Sequence, residues 1–238
     1  MKLYLAGQIP IMLLILQSGL AELPPNEASV NSFHRLDAVH TLVCVEATEE
    51  DRQFLYETLS DPEPFIRRMS ARALGNNIHE DNCTPLYDRL KVESVSYVKA
   101  ALISALAKNE CCADMDLIKT VLLGDSYYSV RSEGMVLLSR CSENGPKILM
   151  ELLENSDRDL QNWASDTLSQ NKLADVALIV PLFNSEDPGI RFAALSAIWG
   201  YPEEVIRPYL EQVRLLEQDP IRRIRKNASN LLKSYEEK

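Results

Sequence analysis

The chain has 238 residues, of which 46% are hydrophobic and 25% are charged, so a folded protein is expected rather than a disordered one. Acidic residues number 35 against 25 lysines and arginines, which gives a net charge of −10. This charge repels phosphate and disfavours nucleic acid as a partner, unless the few cations cluster. Glycine is scarce, at 8 residues, and the abundance of Leu, Ala, Glu and Arg favours helix.

The first residues of the chain have two interpretations. An apolar run from Ile9 to Leu16, followed by the small residues Gly19 to Ala21, resembles a cleaved signal peptide at residues 1–21. The run is too short to span a bilayer as a helix, so no stable membrane insertion is expected. We favour the second interpretation, in which Pro10 opens a helix that ends before Pro24 and residues 1–29 cap the fold.

A seven-residue pattern recurs along the rest of the chain. Asp61 to Arg67 reads Asp-Pro, three residues, then Ile-Arg, and Asp219 to Arg225 repeats it. Weaker copies occur at 125–131 and 187–191. If the apolar residue before the Arg is taken as an anchor, successive anchors lie 30 to 34 residues apart, a period typical of helical repeats. The anchors are His34, Ile66, Val98, Val130, Leu160, Ile190 and Ile224.

Two further columns share this period. Four residues after the anchor the residue is mostly small, and eight residues after it a large aliphatic side chain always stands. Positions 0, +4 and +8 lie on one face of a helix, so each repeat should contain a helix that buries this stripe. We call it the second helix. The +8 column, the expected core, is Leu42, Leu74, Leu106, Leu138, Leu168, Ile198 and Leu232.

A first helix should precede each second helix. Thr48 followed by Glu49, Glu50 and Asp51 is a typical helix start, because acidic groups are favourable in the first turn. The Asp-Pro element then forms the turn between the two helices. The other first helices are expected near 85–90, 115–123, 147–153, 175–183 and 202–216.

The pattern Asp-Pro-x-x-x-(Val/Ile)-Arg, then Ala and Leu-Gly, resembles the HEAT repeat family, in the form found in phycobilisome-lyase-type repeat proteins. Asp61 to Gly75 carries nearly all of it, and the resemblance covers residues 30–238. It implies an all-α, right-handed α-solenoid of six to seven helix-turn-helix repeats in a single domain. It also implies that the second helices line a concave surface for binding.

The residue after each anchor is usually basic, which would suit either an anionic ligand or an internal role. In HEAT repeats this arginine pairs with the turn aspartate of its own or the next repeat, and we favour that interpretation. The column is Arg35, Arg67, Lys99, Arg131, Gln161, Arg191 and Arg225.

Positions +2 and +6 from the anchor should instead face the concave surface. Their chemistry is mixed, with cations at the two ends and small, polar or apolar residues between, which suits a protein partner better than a nucleic-acid backbone. Aromatic side chains nearby are potential binding hot spots or packing residues. The candidate partner-binding residues are Arg68, Arg72, Asn162, Trp163, Asp166, Phe192, Trp199 and Lys226.

The five cysteines, Cys44, Cys83, Cys111, Cys112 and Cys141, are odd in number and irregular in spacing. We therefore expect free thiols and a cytoplasmic protein, or an exported one if residues 1–21 are a signal peptide. A zinc site made by His79 and the cysteines of neighbouring linkers is geometrically conceivable, but its spacing matches no standard ligand set.

No catalytic motif, cofactor site or metal site is recognisable, so the leading hypothesis is a non-enzymatic protein-binding scaffold of unidentified partner and oligomeric state. Three alternatives remain. The family analogy suggests a subunit of a bilin lyase or another enzyme-assisting protein. The acidity suggests an inhibitor or immunity-type protein for a basic toxin. Trp163 and Asp166 loosely match the HEAT-like DNA glycosylases, which the net charge disfavours.

Overall fold

The computed structural model describes the backbone of residues 28–236 and the side chains of residues 32–235. Over this range the chain is helical, with connecting turns and no strand. The helix predicted to begin at Pro10 lies outside the described residues. The chain divides into two compact units, Met1–Cys111 and Cys112–Lys238, which we call unit 1 and unit 2.

Each unit contains α-helices joined by turns and short 3-10 segments. The helices of unit 1 are α1 (Ala28–Leu42), α2 (Glu49–Thr58), α3 (Pro64–Asn76), α4 (Cys83–Val92) and α5 (Ser96–Lys108). Those of unit 2 are α6 (Met115–Gly124), α7 (Tyr128–Arg140), α8 (Gly145–Leu153), α9 (Arg158–Asn171), α10 (Val176–Ile179), α11 (Pro188–Ala197), α12 (Glu203–Ile206), α13 (Leu210–Leu215) and α14 (Arg222–Glu236).

The second helices of consecutive repeats pack side by side within each unit. In unit 1 these are α1, α3 and α5, and in unit 2 they are α7, α9, α11 and α14. Each of them except α1 also packs against the first helix of its own repeat. Stacked helix pairs are the architecture of an α-solenoid, so the predicted all-α helical-repeat fold is confirmed within each unit.

Local sequence signals define the helix ends. The Thr48 hydroxyl accepts a hydrogen bond from the Asp51 amide, and the Asp51 carboxylate accepts one from the Thr48 amide, which forms a capping box at the start of α2. Pro64 and Pro188 lie in the first turn of α3 and α11, where a missing N–H costs nothing. Gly200, after α11, has φ +70°, a conformation that favours glycine.

The predicted core columns are buried apart from two anchors, since His34 is exposed and Ile190 is half-buried. All seven residues of the +8 column are 5% exposed or less, as are the anchors Ile66, Val98, Val130, Leu160 and Ile224. The small +4 residues allow close helix packing. A Cβ atom added to Gly134 would lie 2.5 Å from Cδ2 of Leu122, so α6 and α7 approach as closely as they do because residue 134 has no side chain.

A ladder of ion pairs links consecutive repeats at the turn between first and second helix. Arg67 donates from Nη1 to the carbonyls of Asp61 at 2.9 Å and Pro62 at 3.0 Å, in its own turn. Its Nε and Nη2 donate to Glu93 of the next repeat at 2.8 and 2.9 Å. Arg191 pairs with Asp219 in the same bidentate way, at 2.7 and 3.1 Å. The structural interpretation of the arginine column is confirmed for these rungs.

The ladder continues where its arginine is missing. Gln161 occupies the arginine position, and its amide donates to the Leu153 carbonyl. Arg158, three residues earlier, donates instead to both carboxylate oxygens of Asp187 in the next repeat, at 2.7 and 3.0 Å. A Cβ added to Gly189 would lie 1.5 Å from Arg158 Nη1, so the glycine makes room for the replacement.

Polar clamps hold the opposite edge, where linkers join the repeats. Asn77 donates from Nδ2 to the Leu42 carbonyl at 2.9 Å and accepts from a linker amide at 2.7 Å. In unit 2 the Tyr201 hydroxyl makes the equivalent pair of hydrogen bonds. It donates to the Leu168 carbonyl at 3.3 Å and accepts a hydrogen bond from a linker amide at 2.7 Å. Two different side chains at position +11 thus make the same pair of hydrogen bonds between a helix end and a linker.

Two disulfides also lie on the linker edge, so the expectation of free thiols is wrong for four of the five cysteines. Cys83 bonds Cys111, and Cys112 bonds Cys141, with Cα atoms 5.5 and 5.4 Å apart. Only Cys44 is free, and it is exposed. The bonded sulfurs cannot ligate zinc, and no metal-binding group of three His, Cys, Asp or Glu occurs within the described residues.

Glu93 makes the stability of unit 1 sensitive to acid. Burial of its carboxylate raises the pKa, but hydrogen bonds from Arg67, the Val95 amide and Arg89 outweigh this and lower the pKa from 4.5 to about 2. The carboxylate therefore stabilises the fold above pH 4.5, and this contribution declines as the pH falls towards 2. We expect urea unfolding to show about 2 kcal/mol lost through Glu93 between pH 7 and pH 3.

The matched variants are Glu93→Gln and Glu57→Gln, the latter an exposed site on α2. Glu93→Gln should destabilise the protein by about 3–5 kcal/mol at pH 7, since it leaves buried guanidinium groups without a carboxylate, and it should flatten the acid dependence. Equal acid dependence in both variants would show that Glu93 titrates normally.

Candidate functional site

The candidate surface is the second-helix face, which we define in each unit as the side of the second helices that carries positions +2 and +6. Of these positions only Ala100 is buried. The other +2 and +6 positions therefore lie on the solvent side of the second helices. We describe the face for each unit separately.

In unit 1 the face carries two cations and an aromatic ring. The Arg68 guanidinium carbon lies 5.9 Å from the centroid of the Tyr97 ring, within the range of a cation–π contact. Arg72, one turn further along α3, is exposed and has no partner among the described residues. Tyr97 is 38% exposed. Phe65, which occupies the corresponding position before the anchor of the preceding repeat, is 47% exposed. This part of the face therefore offers positive charge next to aromatic surface.

In unit 2 two aromatic pairs occur on the face. Tyr128 and Trp163 meet edge to face, with ring centroids 4.9 Å apart and planes at 82°. The Arg223 guanidinium carbon lies 3.9 Å from the Phe192 centroid. Trp163 and Phe192 are half-buried, whereas Tyr128 is 71% exposed. Each ring is thus held by a neighbour and keeps part of its surface in water.

The polar candidates of unit 2 are open to solvent. The side chains of Asn162, Asp166 and Lys226 are exposed and have no hydrogen-bond or ion-pair partner among the described residues. Desolvation raises the pKa of Asp166 above its ordinary value, although the residue as a whole remains exposed. A carboxylate in such a place readily accepts a hydrogen bond from an incoming group.

Trp199 belongs to a different surface. It follows α11 and is 38% exposed, but its carbonyl accepts hydrogen bonds from Ser169 Oγ and Lys172 Nζ at the end of α9. This places it on the linker edge, and the structure does not bring it together with Trp163 or Phe192.

The contacts on the face follow a rule that the sequence analysis missed. Arg68 and Phe192 both stand at +2, and their partners Tyr97 and Arg223 both stand one residue before the anchor of the following repeat. Cation and ring simply exchange places between the two units. The sequence contains this pairing, because both contacts join position +2 to position −1 of the following repeat. It becomes visible only when the residue types at these two positions are compared with each other.

Two clefts occur away from the face, on the linker edge of each unit. The larger, of about 540 Å³, is in unit 1 and is lined by the linkers 43–47 and 76–79 and by Arg52. The smaller, of about 160 Å³, is in unit 2 and is lined by residues 113–116 and by Lys147, Glu151 and their neighbours. None of the predicted partner-binding residues lines either cleft.

Comparison with known proteins identifies the repeat. Residues 34–107 match the family model of HEAT repeats, which confirms the resemblance for this part of the chain. The search of curated proteins found no match. No helix within residues 28–236 combines the length and apolarity needed to cross a membrane.

The similar solved structures include crystal structures of two engineered proteins. The first is 17% identical with a TM-score of 0.43, and the match covers 85% of this chain and 64% of that one. The second is 16% identical with a TM-score of 0.37, and the match covers 95% of this chain and 96% of that one. The chain thus spans less than two thirds of the first engineered protein, and neither structure indicates a function.

Proposed function

We propose that the protein is a non-enzymatic scaffold that binds a protein partner through its second-helix face. HEAT repeats are generally protein-interaction scaffolds, and residues 34–107 match them. The observation that carries the proposal is that the second-helix face of each unit, taken separately, carries partly exposed rings paired with a cation or with another ring.

The chemistry of the pairs suits a protein interface. Tyr, Trp and Arg dominate binding hot spots. Tyr and Trp bury large areas while fixing only two side-chain torsions, and the planar guanidinium of Arg makes several hydrogen bonds at once. Trp163 and Phe192 are already held by Tyr128 and Arg223, so little conformational entropy remains to be lost on binding. The exposed polar groups around them would form the rim of such an interface.

The inhibitor alternative is a special case of this proposal, because an inhibitor of a basic toxin would also bind a protein. The bilin-lyase and DNA-glycosylase alternatives remain hypotheses without a supporting contact on the face. In unit 2 the face carries two cations, Arg223 and Lys226, and also the carboxylate of Asp166. A duplex would require a much longer basic tract.

We further propose that the protein is exported rather than cytoplasmic. Two disulfides that use four of five cysteines are typical of proteins that fold in an oxidising compartment, and cytosolic proteins seldom keep them. This favours the interpretation of residues 1–21 as a signal peptide, which the sequence analysis had placed second.

Site-specific photocrosslinking tests the face of unit 2. A benzophenone amino acid at Asn162, in cells that make the protein, should give a crosslinked adduct of defined mass, because this position is exposed and adjacent in sequence to Trp163. The matched control is Gln212, exposed on α13 and away from the face. Trp163→Ala and Phe192→Ala should each lower the adduct yield about tenfold or more, as hot-spot truncations do. Equal adducts from positions 162 and 212 would refute the assignment of the face.

Charge reversal tests the face of unit 1. Arg68→Glu combined with Arg72→Glu should abolish capture of the partner identified by the crosslink, because the face of unit 1 would lose both of its guanidinium groups. The melting temperature should stay nearly unchanged, since Arg72 is exposed and Arg68 is only half-buried. Glu80→Arg, an exposed reversal on the linker edge, is the control for general charge effects. Undiminished affinity in the double variant would exclude unit 1 from the interface.

Thiol counting tests the compartment. Protein isolated from its source without reductant should show one alkylatable thiol, Cys44, and an N-terminus after Ala21. Reduction should destabilise the chain by about 3–4 kcal/mol per disulfide on a chain-entropy estimate, because the bonds close loops with sequence separations of 28 and 29. Five free thiols together with an intact Met1 would show that the protein is cytoplasmic.

A further inference from the structure

The aromatic pair on the second-helix face of unit 2 has no cation of the chain's own beside it. Elsewhere on the face, in each unit, a ring is met by an arginine from a neighbouring second helix. Tyr128 and Trp163 instead meet each other, and within residues 32–235 no cation lies over either ring. Tyr128 is exposed and Trp163 is half-buried, so the pair offers aromatic surface to a cation from outside.

Two carboxylates flank Trp163 along α9. Asp159 precedes it by four residues and Asp166 follows it by three, and residues at these spacings are neighbours on a helix surface. Both aspartates are exposed, and neither carboxylate has a hydrogen-bond or ion-pair partner in the described part of the chain. The indole therefore lies between two negative charges that are available to a ligand.

The helix itself does not account for Asp166. Asp159 lies in the first turn of α9, where a negative charge stabilises the helix, but Asp166 is the ninth of the fourteen residues and lies beyond that effect. Aspartate is also a poor helix former in such an interior position. The residues three and four positions away along the helix carry no positive charge: Asn162, Trp163, Ser169 and Gln170. A ligand therefore explains this carboxylate better than the fold does.

The surroundings of the pair are negatively charged. At positions −1, +2 and +6, the neighbouring helices α7, α9 and α11 carry two carboxylates, those of Asp159 and Asp166, and no cation. Glu133, at +3 on α7, adds a third carboxylate, which is half-buried and has no partner among the described residues. Arg131 and Arg158, on α7 and α9, already bind carboxylates of the next repeat. An incoming cation would thus be attracted without competition from these arginines.

We propose that Trp163, together with Tyr128 and Asp166, receives an arginine side chain of the partner protein. A guanidinium group stacks on aromatic rings and can at the same time donate two parallel N–H groups to a carboxylate. Lysine presents a compact charge without this planar edge, so it fits the combination less well. This inference rests on the proposed function, because it names the chemistry that the second-helix face of unit 2 recognises.

The same unit contains a model of the contact. The guanidinium carbon of Arg223 lies 3.9 Å from the centroid of the Phe192 ring, on the next pair of second helices. There the chain supplies both the cation and the ring. At Tyr128 and Trp163 the chain supplies two rings and the carboxylates, and the arginine is the component that a partner would add.

NMR of the indole N–H group of Trp163 tests the receptor in the full chain. The probe is the peptide acetyl-Gly-Arg-Gly-amide, and the control peptide carries citrulline, which has the shape of arginine without its charge. We expect a saturable shift of the Trp163 signal with a Kd of about 1–10 mM, and binding of the citrulline peptide about tenfold weaker or less. The signal of Trp199, on the linker edge, should stay in place.

Variants separate the charge from the fold. Asp166→Asn keeps the size of the side chain and removes no described contact, so the protein should fold normally and bind the arginine peptide about fivefold more weakly. The matched control is Asp116→Asn, the same change at an exposed aspartate of α6, which should leave the titration unchanged. A lysine peptide should bind the unchanged protein about threefold more weakly than the arginine peptide.

Photocrosslinking distinguishes failure of the receptor from failure of the proposed function. In cells, Asp166→Arg should lower the yield of the adduct from position 162 about tenfold, because it places a like charge against the partner's arginine. An adduct that persists undiminished in this variant would leave the second-helix face in place and refute the arginine receptor. A peptide titration that succeeds without any adduct would support the receptor and refute the scaffold.

Three outcomes of the titration would overturn the proposal. The first is the absence of a saturable shift of the Trp163 signal at tens of millimolar peptide. The second is binding of the citrulline or lysine peptide as tightly as the arginine peptide. The third is an unchanged Kd in Asp166→Asn.

Discussion

The structure depends on an arginine that is bonded on two sides at once. Arg67 and Arg191 each hold the carbonyls of their own turn with one nitrogen and a carboxylate of the next repeat with the others. A buried ion pair contributes little net stability, because desolvation offsets attraction, but a misplaced partner is severely unfavourable. The ion pair therefore mainly fixes the distance between consecutive repeats. It requires the next turn to arrive at a fixed distance, which accounts for the steady period of the sequence.

That same requirement determines which residues remain for recognition. Position +1 is used mainly by the ladder and positions 0, +4 and +8 by the core, whereas positions −1, +2 and +6 keep solvent exposure in nearly every repeat. Tyr97 and Phe192 stand at these positions and keep part of their surface in solvent, as does Trp163 at +3. Residues at these positions can therefore vary from repeat to repeat without loosening the stack.

The sequence predicted well what recurs as the same residue type. The Leu138 column and the role of Arg67 recur with the same residue type, so a single pattern detects them. The pattern did not predict contacts that a different residue type makes in another repeat. Tyr201 replaces the Asn77 amide, and Arg158 replaces the arginine lost at Gln161. The disulfides were missed although their separations of 28 and 29 lie near the period, because odd cysteine number was given more weight than spacing.

The two disulfides also determine how the chain responds to force. Each closes a loop within one unit, and their inner cysteines, 111 and 112, are adjacent in sequence, so a pull along the backbone passes across both bonds. The enclosed segments, with separations of 28 and 29, would release roughly 190 Å of length if they could extend. While the disulfides are intact, these segments cannot extend under force. An unfoldase that threads the chain through its pore would meet two closed loops in the middle of the chain. It could translocate them as a single extended strand only after the disulfides had been reduced.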